Sequence, residues 1–169
     1  ERGKLESGFP HAAFLIEKSD INPPLRKNRS ANKGTYGHTT ILVGEKAGAG
    51  IIAGTAAMNF GSGLTTLLET KQSNLGQFKI SPELMISDKI PEKTTAIVAG
   101  SGLNMAEKHF SAVSDCLTSM MTWFKSVNSP AVVLDAGFFY YDKICPLLEE
   151  LNSIPNSKII LTPHLAEFV

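Results

Sequence analysis

Five short apolar runs set the rhythm of this chain: "TTILV" (39–43), "LTTLLE" (64–69), "TAIVAG" (95–100), "AVVLDA" (131–136) and "KIILT" (158–162). In each, branched and aliphatic residues fall on successive positions, the pattern of a strand buried on both faces. Helical stretches fill the gaps. "AGIIAGTAAMNFG" (49–61) is small and apolar, repeats Ile52, Ala56 and Phe60 every four residues, and has Gly61 in place as a cap. Residues 105–125 put Phe110, Val113, Leu117, Met120, Met121 and Phe124 on one helical face. "CPLLEELN" (145–152) tolerates Pro146 in its first turn, and "PHLAEFV" opens a further helix. "SPELM" (81–85) predicts only a short capped turn. Strands alternating with helices predict an α/β domain built on a parallel sheet with helices on both faces.

Composition narrows the partners. The 169 residues suffice for one ordinary domain, and 43% are apolar, enough for a core. Sixteen basic side chains balance 16 acidic ones, which argues against nucleic acid or a membrane surface as partner. No apolar run has the length of a bilayer span, and "ERGKLESGFP" lacks the apolar stretch of a signal peptide. Cys116 and Cys145 form no C-x-x-C pair, so they read as free, mostly buried thiols in a reducing cytoplasm. Residues 1–35 read as a leader: "AAFLIEKSD" suggests one docking helical turn, and "NPPLRKNRSANKG" is a linker by composition. The first residue is not Met, so a fragment or trimmed product is expected.

In a parallel α/β sheet, ligands bind beyond the C-terminal ends of the strands. That rule selects "GEKAGAG", the stretch after Glu69, "GSGLN", "DAGFF" and "TPH". Gly48, Gly50 and Ala53 match the dinucleotide spacing G-x-G-x-x-[G/A], and Glu69 ends the next strand where an acidic residue meets a ribose. Against that reading, Glu45, Lys46 and Ala47 intervene after Gly44, making a turn wider than a pyrophosphate clamp. The small residues equally suit tight helix–sheet packing. Gly100 and Gly102 suit positive φ and exposed amides. Asp135 can hold a ligand hydroxyl, reach a magnesium-bound phosphate through water, or satisfy its own loop. Thr162 reads as a helix cap with Pro163 and His164 in the first turn. His38 precedes the first strand and fits either a structural or a functional role. "NKGTYGH" (32–38), before that strand, reads as structural.

Together, "NKGTYGHTTILVG", "AGAGIIAGTAAMNFGSGL", "SPELM", "AIVAGSGLN", "VVLDAG" and "LTPHLAEF" resemble the NAD(P)H-hydrate dehydratases of the ribokinase-like fold, in order and spacing, from Asn32 to Val169. The resemblance implies a ribokinase-like parallel sheet and a nucleotide-dependent dehydration of hydrated NADH or NADPH. A nucleotide phosphorylates the ring hydroxyl, and phosphate then leaves. ADP or ATP is implied as cosubstrate, ADP before ATP, with Mg2+. By motif, Ala49, Gly102 and His164 line the hydrated-cofactor site, with Gly100 and Asp135 beside them. "ESGFPHAAFLIEKSDINPPLRK" resembles the junction after an epimerase domain in bifunctional members, dividing the chain into a tail (1–31) and the N-terminal part of the dehydratase domain (32–169).

Departures from the family pattern are Ser101 and Asn104 in place of G-P-G-L-G, Gly137 in place of the second Asp of D-A-D, and Leu165 and Ala166 within T-P-H-P-G-E. The family's late G-x-G-D, which supplies an anion hole and a catalytic Asp, does not occur in these residues. The sheet is therefore expected to be incomplete at its C-terminal side, the catalytic Asp to lie beyond Val169, and the fragment alone to be inactive. An unfinished edge at "KIILT" predicts marginal stability or self-association into a homo-oligomer. The alternatives are a ribokinase-like kinase of a small alcohol and a non-catalytic nucleotide-binding module.

Overall fold

The computed structural model of the chain describes residues 17–21, 29–105 and 111–167. Six strands make one sheet: β1 (His38–Val43), β2 (Leu64–Glu69), β3 (Met85–Ser87), β4 (Ala96–Ala99), β5 (Ala131–Asp135) and β6 (Lys158–Thr162). Every pairing is parallel and the order is β3-β2-β1-β4-β5-β6. Successive strands run outward from β1 to β3, and the chain then returns to the other side of β1 for β4. The crevice between β1 and β4 is the topological switch point, where the loops leaving two adjacent strands diverge.

Strand parity divides the core into two layers. Ile41, Val43 and Leu67 face α1 (Ala47–Asn59) together with Ala47, Leu75 and Leu84. Leu42, Leu68, Ile97, Val132 and Leu134 face the opposite way, against α2 (Ser111–Ser126) and α3 (Ile144–Asn152). Helices therefore cover both faces, as the apolar strands predict, although β6 at the sheet edge is largely exposed and not buried on both faces. In α2, Val113, Leu117, Met120 and Phe124 are buried as the spacing predicts, joined by Trp123. Phe110 lies outside the described residues, and Met105, expected to open this helix, is instead a buried loop residue.

Three elements differ from expectation. The Ile52–Ala56–Phe60 row of α1 faces outward, with Ile52 72% exposed and Phe60 66% exposed. The helix packs instead through Gly50 and Gly54. A Cβ at Gly54 would stand 2.9 Å from Leu67 Cδ2, so the absence of a side chain sets the helix–sheet distance. "SPELM" is a turn, closed by Leu84 N–H donating to Ser81 O, but it also starts a strand: Met85–Ser87 pairs with Thr66–Leu68 at the sheet edge. "PHLAEFV" forms a 3-10 turn at Leu165–Glu167; residues 168 and 169 lie outside the described residues.

The ends of the sheet differ in chemistry. At the N-terminal end, His38 is buried (4% exposed) and its Nε2 lies 2.7 Å from Thr66 Oγ1. Thr40 and Thr94 share a hydrogen bond, and Trp123 Nε1 donates to the Thr94 carbonyl. Burial holds the His38 imidazole below its ordinary pKa. His38 is thus part of a satisfied polar layer, and "NKGTYGH" closes the same end through Gly63 N–H donating to Tyr36 O. Of the leader, Lys18–Asp20 is a 3-10 turn that buries nothing; residues 12–16, expected to dock, lie outside the described residues, as do His11 and His109. Both cysteines are free, but Cys145 is exposed and Cys116 only partly buried, against the expectation of mostly buried thiols. Among the described residues no helix is long and apolar enough to cross a membrane.

Candidate functional site

Four of the five strand-end loops picked out by sequence meet over the switch point. They enclose a cleft of about 540 Å³. The loop after β1 contributes Glu45 and Lys46, with Ala49 from the first turn of α1. The loop after β4 contributes Gly102 to Met105, the one after β5 contributes Ala136, Gly137 and Tyr140, and the one after β6 contributes His164 and Glu167. The fifth loop, after β2, braces the wall from behind. Gln72 Nε2 donates to Asn104 O, and Asn104 N–H donates back to Gln72 Oε1. Glu69 does not line the cleft, where the dinucleotide reading requires a ribose contact; its Oε1 lies 3.4 Å from Ser73 Oγ.

The "GSGLN" loop is the hub of this arrangement. Gly102 O accepts from Lys46 N–H at 3.0 Å, tying the loop to that of β1 across the crevice. Gly100 O accepts from both Leu103 N–H and Gly137 N–H, tying it to the loop of β5. Gly102 holds φ +74°, and a Cβ there would stand 2.4 Å from Lys46 O and 3.2 Å from Ala49 Cβ. Gly100 holds φ +118°, and its Cβ would meet the Asp135 carbonyl at 1.7 Å. These two positions require glycine for conformation and for space at once.

Asp135 lies behind the cleft. Ser101 Oγ donates to its Oδ2 at 2.6 Å and Thr162 Oγ1 to its Oδ1 at 2.8 Å, so both oxygens are engaged by hydroxyls from the two neighbouring strand ends. Thr162 is accordingly a strand-end tie and not the cap expected of it. His164 stands just before the Leu165–Glu167 turn, whose 3-10 bond runs from Glu167 N–H to His164 O.

Of the residues singled out by sequence, Ala49, Gly102 and His164 share the cleft wall, whereas Gly100 and Asp135 support it. Sequence reasoning missed Lys46, Asn104, Tyr140 and Glu167. Glu167 was the most accessible of these: a Glu three residues after a turn start is the spacing of a capping box. The wall mixes small residues at the switch point with polar groups at the rim. Ala49 and Gly102 pack against each other at the cleft wall, where the missing side chain of Gly102 lets the two loops approach. Asn104 Nδ2 donates to Glu45 Oε2, and Lys46 supplies positive charge.

Comparison with known proteins points to one family. A family profile described as NAD(P)H-hydrate dehydratase matches residues 39–169. The bifunctional NAD(P)H-hydrate repair enzyme Nnr of Helicobacter pylori is 32% identical over 161 residues, covering 95% of this chain and 30% of that protein. Among solved structures, the ADP/ATP-dependent NAD(P)H-hydrate dehydratase of Bacillus subtilis, co-crystallised with ATP/Mg2+, aligns with a TM-score of 0.56 and 28% identity. That alignment covers 84% of this chain and 49% of the other. A ribokinase-like superfamily protein of Enterococcus faecalis aligns with a TM-score of 0.60 and 19% identity, over 85% of this chain and 50% of that one, and shares the fold. The chain thus spans under a third of the curated relative and about half of each solved chain. With a profile match over most of its length, the chain belongs to the NAD(P)H-hydrate dehydratase family.

Proposed function

We propose that this chain forms the hydrated-dinucleotide side of an NAD(P)H-hydrate dehydratase, which uses ADP or ATP to remove water from hydrated NADH or NADPH and restore the reduced cofactor. One observation carries the reading: Ala49, Gly102 and His164, drawn from three different strand ends, line a single cleft at the switch point. Ala49 and Gly102 admit the ring close to backbone. His164 meets its polar edge. Lys46 sits at the rim, where it suits the charged diphosphate of a dinucleotide. Gly100 and Asp135 hold the wall in place.

The described residues do not fit a magnesium site of their own. Both Asp135 oxygens are taken by Ser101 and Thr162, and among the described residues no three His, Cys, Asp or Glu gather as a metal-binding group. The nucleotide, with Mg2+, therefore belongs to the whole protein's reaction, and these residues act on the hydrated cofactor: they bind it, orient it and limit access of water. ADP is proposed ahead of ATP as donor.

Self-association and a cytoplasmic setting belong to the same reading. Both cysteine thiols are free, in keeping with a reducing setting. The partner is a small molecule and not nucleic acid, in keeping with a formal net charge of zero. Binding of hydrated NADPH by the natural full-length polypeptide, measured by calorimetry with and without the Gly102→Val substitution, tests the assignment. Loss of binding in a variant that still folds supports it; unchanged affinity removes the cleft from the reaction.

A further inference from the structure

Glu167 is an unusual carboxylate for the rim of an open cleft. Its side chain is only 3% exposed, although the His164 side chain beside it is 65% exposed. A buried carboxylate is costly unless hydrogen-bonded. Both oxygens of Glu167 face one residue: Oε2 accepts from His164 backbone N–H at 2.9 Å, and Oε1 is in ion-pair contact with His164 Nε2 at 3.1 Å. The backbone contact alone is the far half of a capping box and serves the turn. The ring contact does more than a cap requires, because it fixes the imidazole that sequence and geometry both put in the cleft.

A carboxylate accepts but does not donate, so the ring nitrogen facing Glu167 must carry a proton. In the neutral imidazole this selects the Nε2–H tautomer and leaves the Nδ1 lone pair as an acceptor. Nδ1 has no hydrogen-bond partner among the described residues, which leaves it for a ligand. The hydrated nicotinamide ring offers matching donors, a ring hydroxyl and a carboxamide N–H.

We propose that Glu167 is the positioning residue of His164, holding the ring by Nε2 so that Nδ1 accepts a hydrogen bond from a hydroxyl or amide donor on the hydrated dinucleotide. The ligand half of this statement rests on the function proposed above; the tautomer half does not.

The two halves are tested separately on the natural full-length polypeptide. Nitrogen-15 NMR of histidine-labelled protein, with the His164 signal assigned by its loss in His164→Gln, reads the tautomer directly. Wild type is expected to show a single Nε2–H form. In Glu167→Gln one amide oxygen can accept from the His164 backbone, which turns the amide NH2 toward Nε2 and converts the ring to the Nδ1–H form. In Glu167→Ala the ring becomes a tautomeric mixture. Hydrated NADPH, titrated by calorimetry, is expected to bind Glu167→Gln about tenfold more weakly, the range of one hydrogen bond to a charged or committed partner. It should bind the His164→Ala and Glu167→Ala/His164→Ala proteins equally. A mixed tautomer in wild type, or an unchanged tautomer in Glu167→Gln, overturns the proposal; the wild-type spectrum decides even if a variant does not fold. The expected tautomers with no binding of hydrated NADPH to wild type would leave Glu167 orienting His164 and remove the dinucleotide reading instead.

Discussion

Ser101 lies in the loop after β4 and Asp135 ends the adjacent strand β5, and Ser101 Oγ donates to Asp135 Oδ2 across 2.6 Å. Thr162 completes the tie from the third strand at 2.8 Å. One carboxylate therefore fastens the ends of β4, β5 and β6 below the cleft floor. Asp135→Ala is expected to leave the Ser101 hydroxyl without its acceptor, and Thr162 Oγ1 with the Leu134 carbonyl at 3.3 Å, and to destabilise the chain by about 1–2 kcal/mol, given partial exposure. Denaturant titration checks the stability, and KM for hydrated NADPH should rise more than kcat falls. An unaltered KM in a destabilised protein would confine Asp135 to folding.

Gly102 joins a left-handed backbone to a close approach. At φ +74°, with a Cβ position 2.4 Å from Lys46 O, even alanine forces the two loops of the switch point apart. Gly102→Ala should cost about 1–2 kcal/mol from backbone conformation alone. Hydrated-dinucleotide affinity should fall, and hydrogen-exchange protection of α2 and α3 should weaken with it, because Leu103 and Met105 of the same loop pack into their core.

His38 predicts an acid-side loss of stability. Burial lowers its folded-state pKa below that of the unfolded chain. Between the folded value and the unfolded value near 6.5, the unfolded chain holds more protons. Stability from this group is therefore complete above that unfolded value and declines as pH falls through it toward the folded value. His38→Gln, which can still meet Thr66 Oγ1, should flatten that part of the stability–pH curve. Urea midpoints measured across mildly acidic pH read the effect. A slope of equal size in the variant would assign it to other groups.

Helix α1 should tolerate change outward and resist it inward. Ile52→Lys is expected to lie within about 0.5 kcal/mol of wild type, because the side chain is largely exposed. Gly54→Val places branched carbons against Leu67 and Leu84 and should cost about 1–3 kcal/mol by overpacking. Thermal melts of the two variants give the comparison.

That contrast explains what the sequence made legible. Strands β1, β2, β4, β5 and β6 were readable because runs such as "TTILV" are apolar on both faces, a pattern with few other uses. α1 was readable as a helix, but its buried face was not: a period search weighs Ile52 and Phe60, whereas the packing surface is Gly50 and Gly54. β3 escaped notice because three residues at a sheet edge, two of them exposed, carry no alternation. At the site, Gly100 and Gly102 were legible through their conformational demand, and Asp135 as polar at a strand end, but its partners were not. Ser101 and Thr162 reach it only through the β4-β5-β6 order, which no local pattern encodes. Glu167 read as one more charge in a closing helix, since its burial depends on the turn that replaces that helix.

The most direct test of the central claim follows NADPH absorbance after hydrated NADPH is mixed with ADP or ATP, Mg2+ and the natural full-length polypeptide, in wild-type and Gly102→Val forms. The account predicts that wild type restores NADPH, and that Gly102→Val, checked for a native melting transition, does not. Restoration at the wild-type rate by the folded variant, or phosphorylation of an unrelated alcohol with no NADPH restored by wild type, would contradict it.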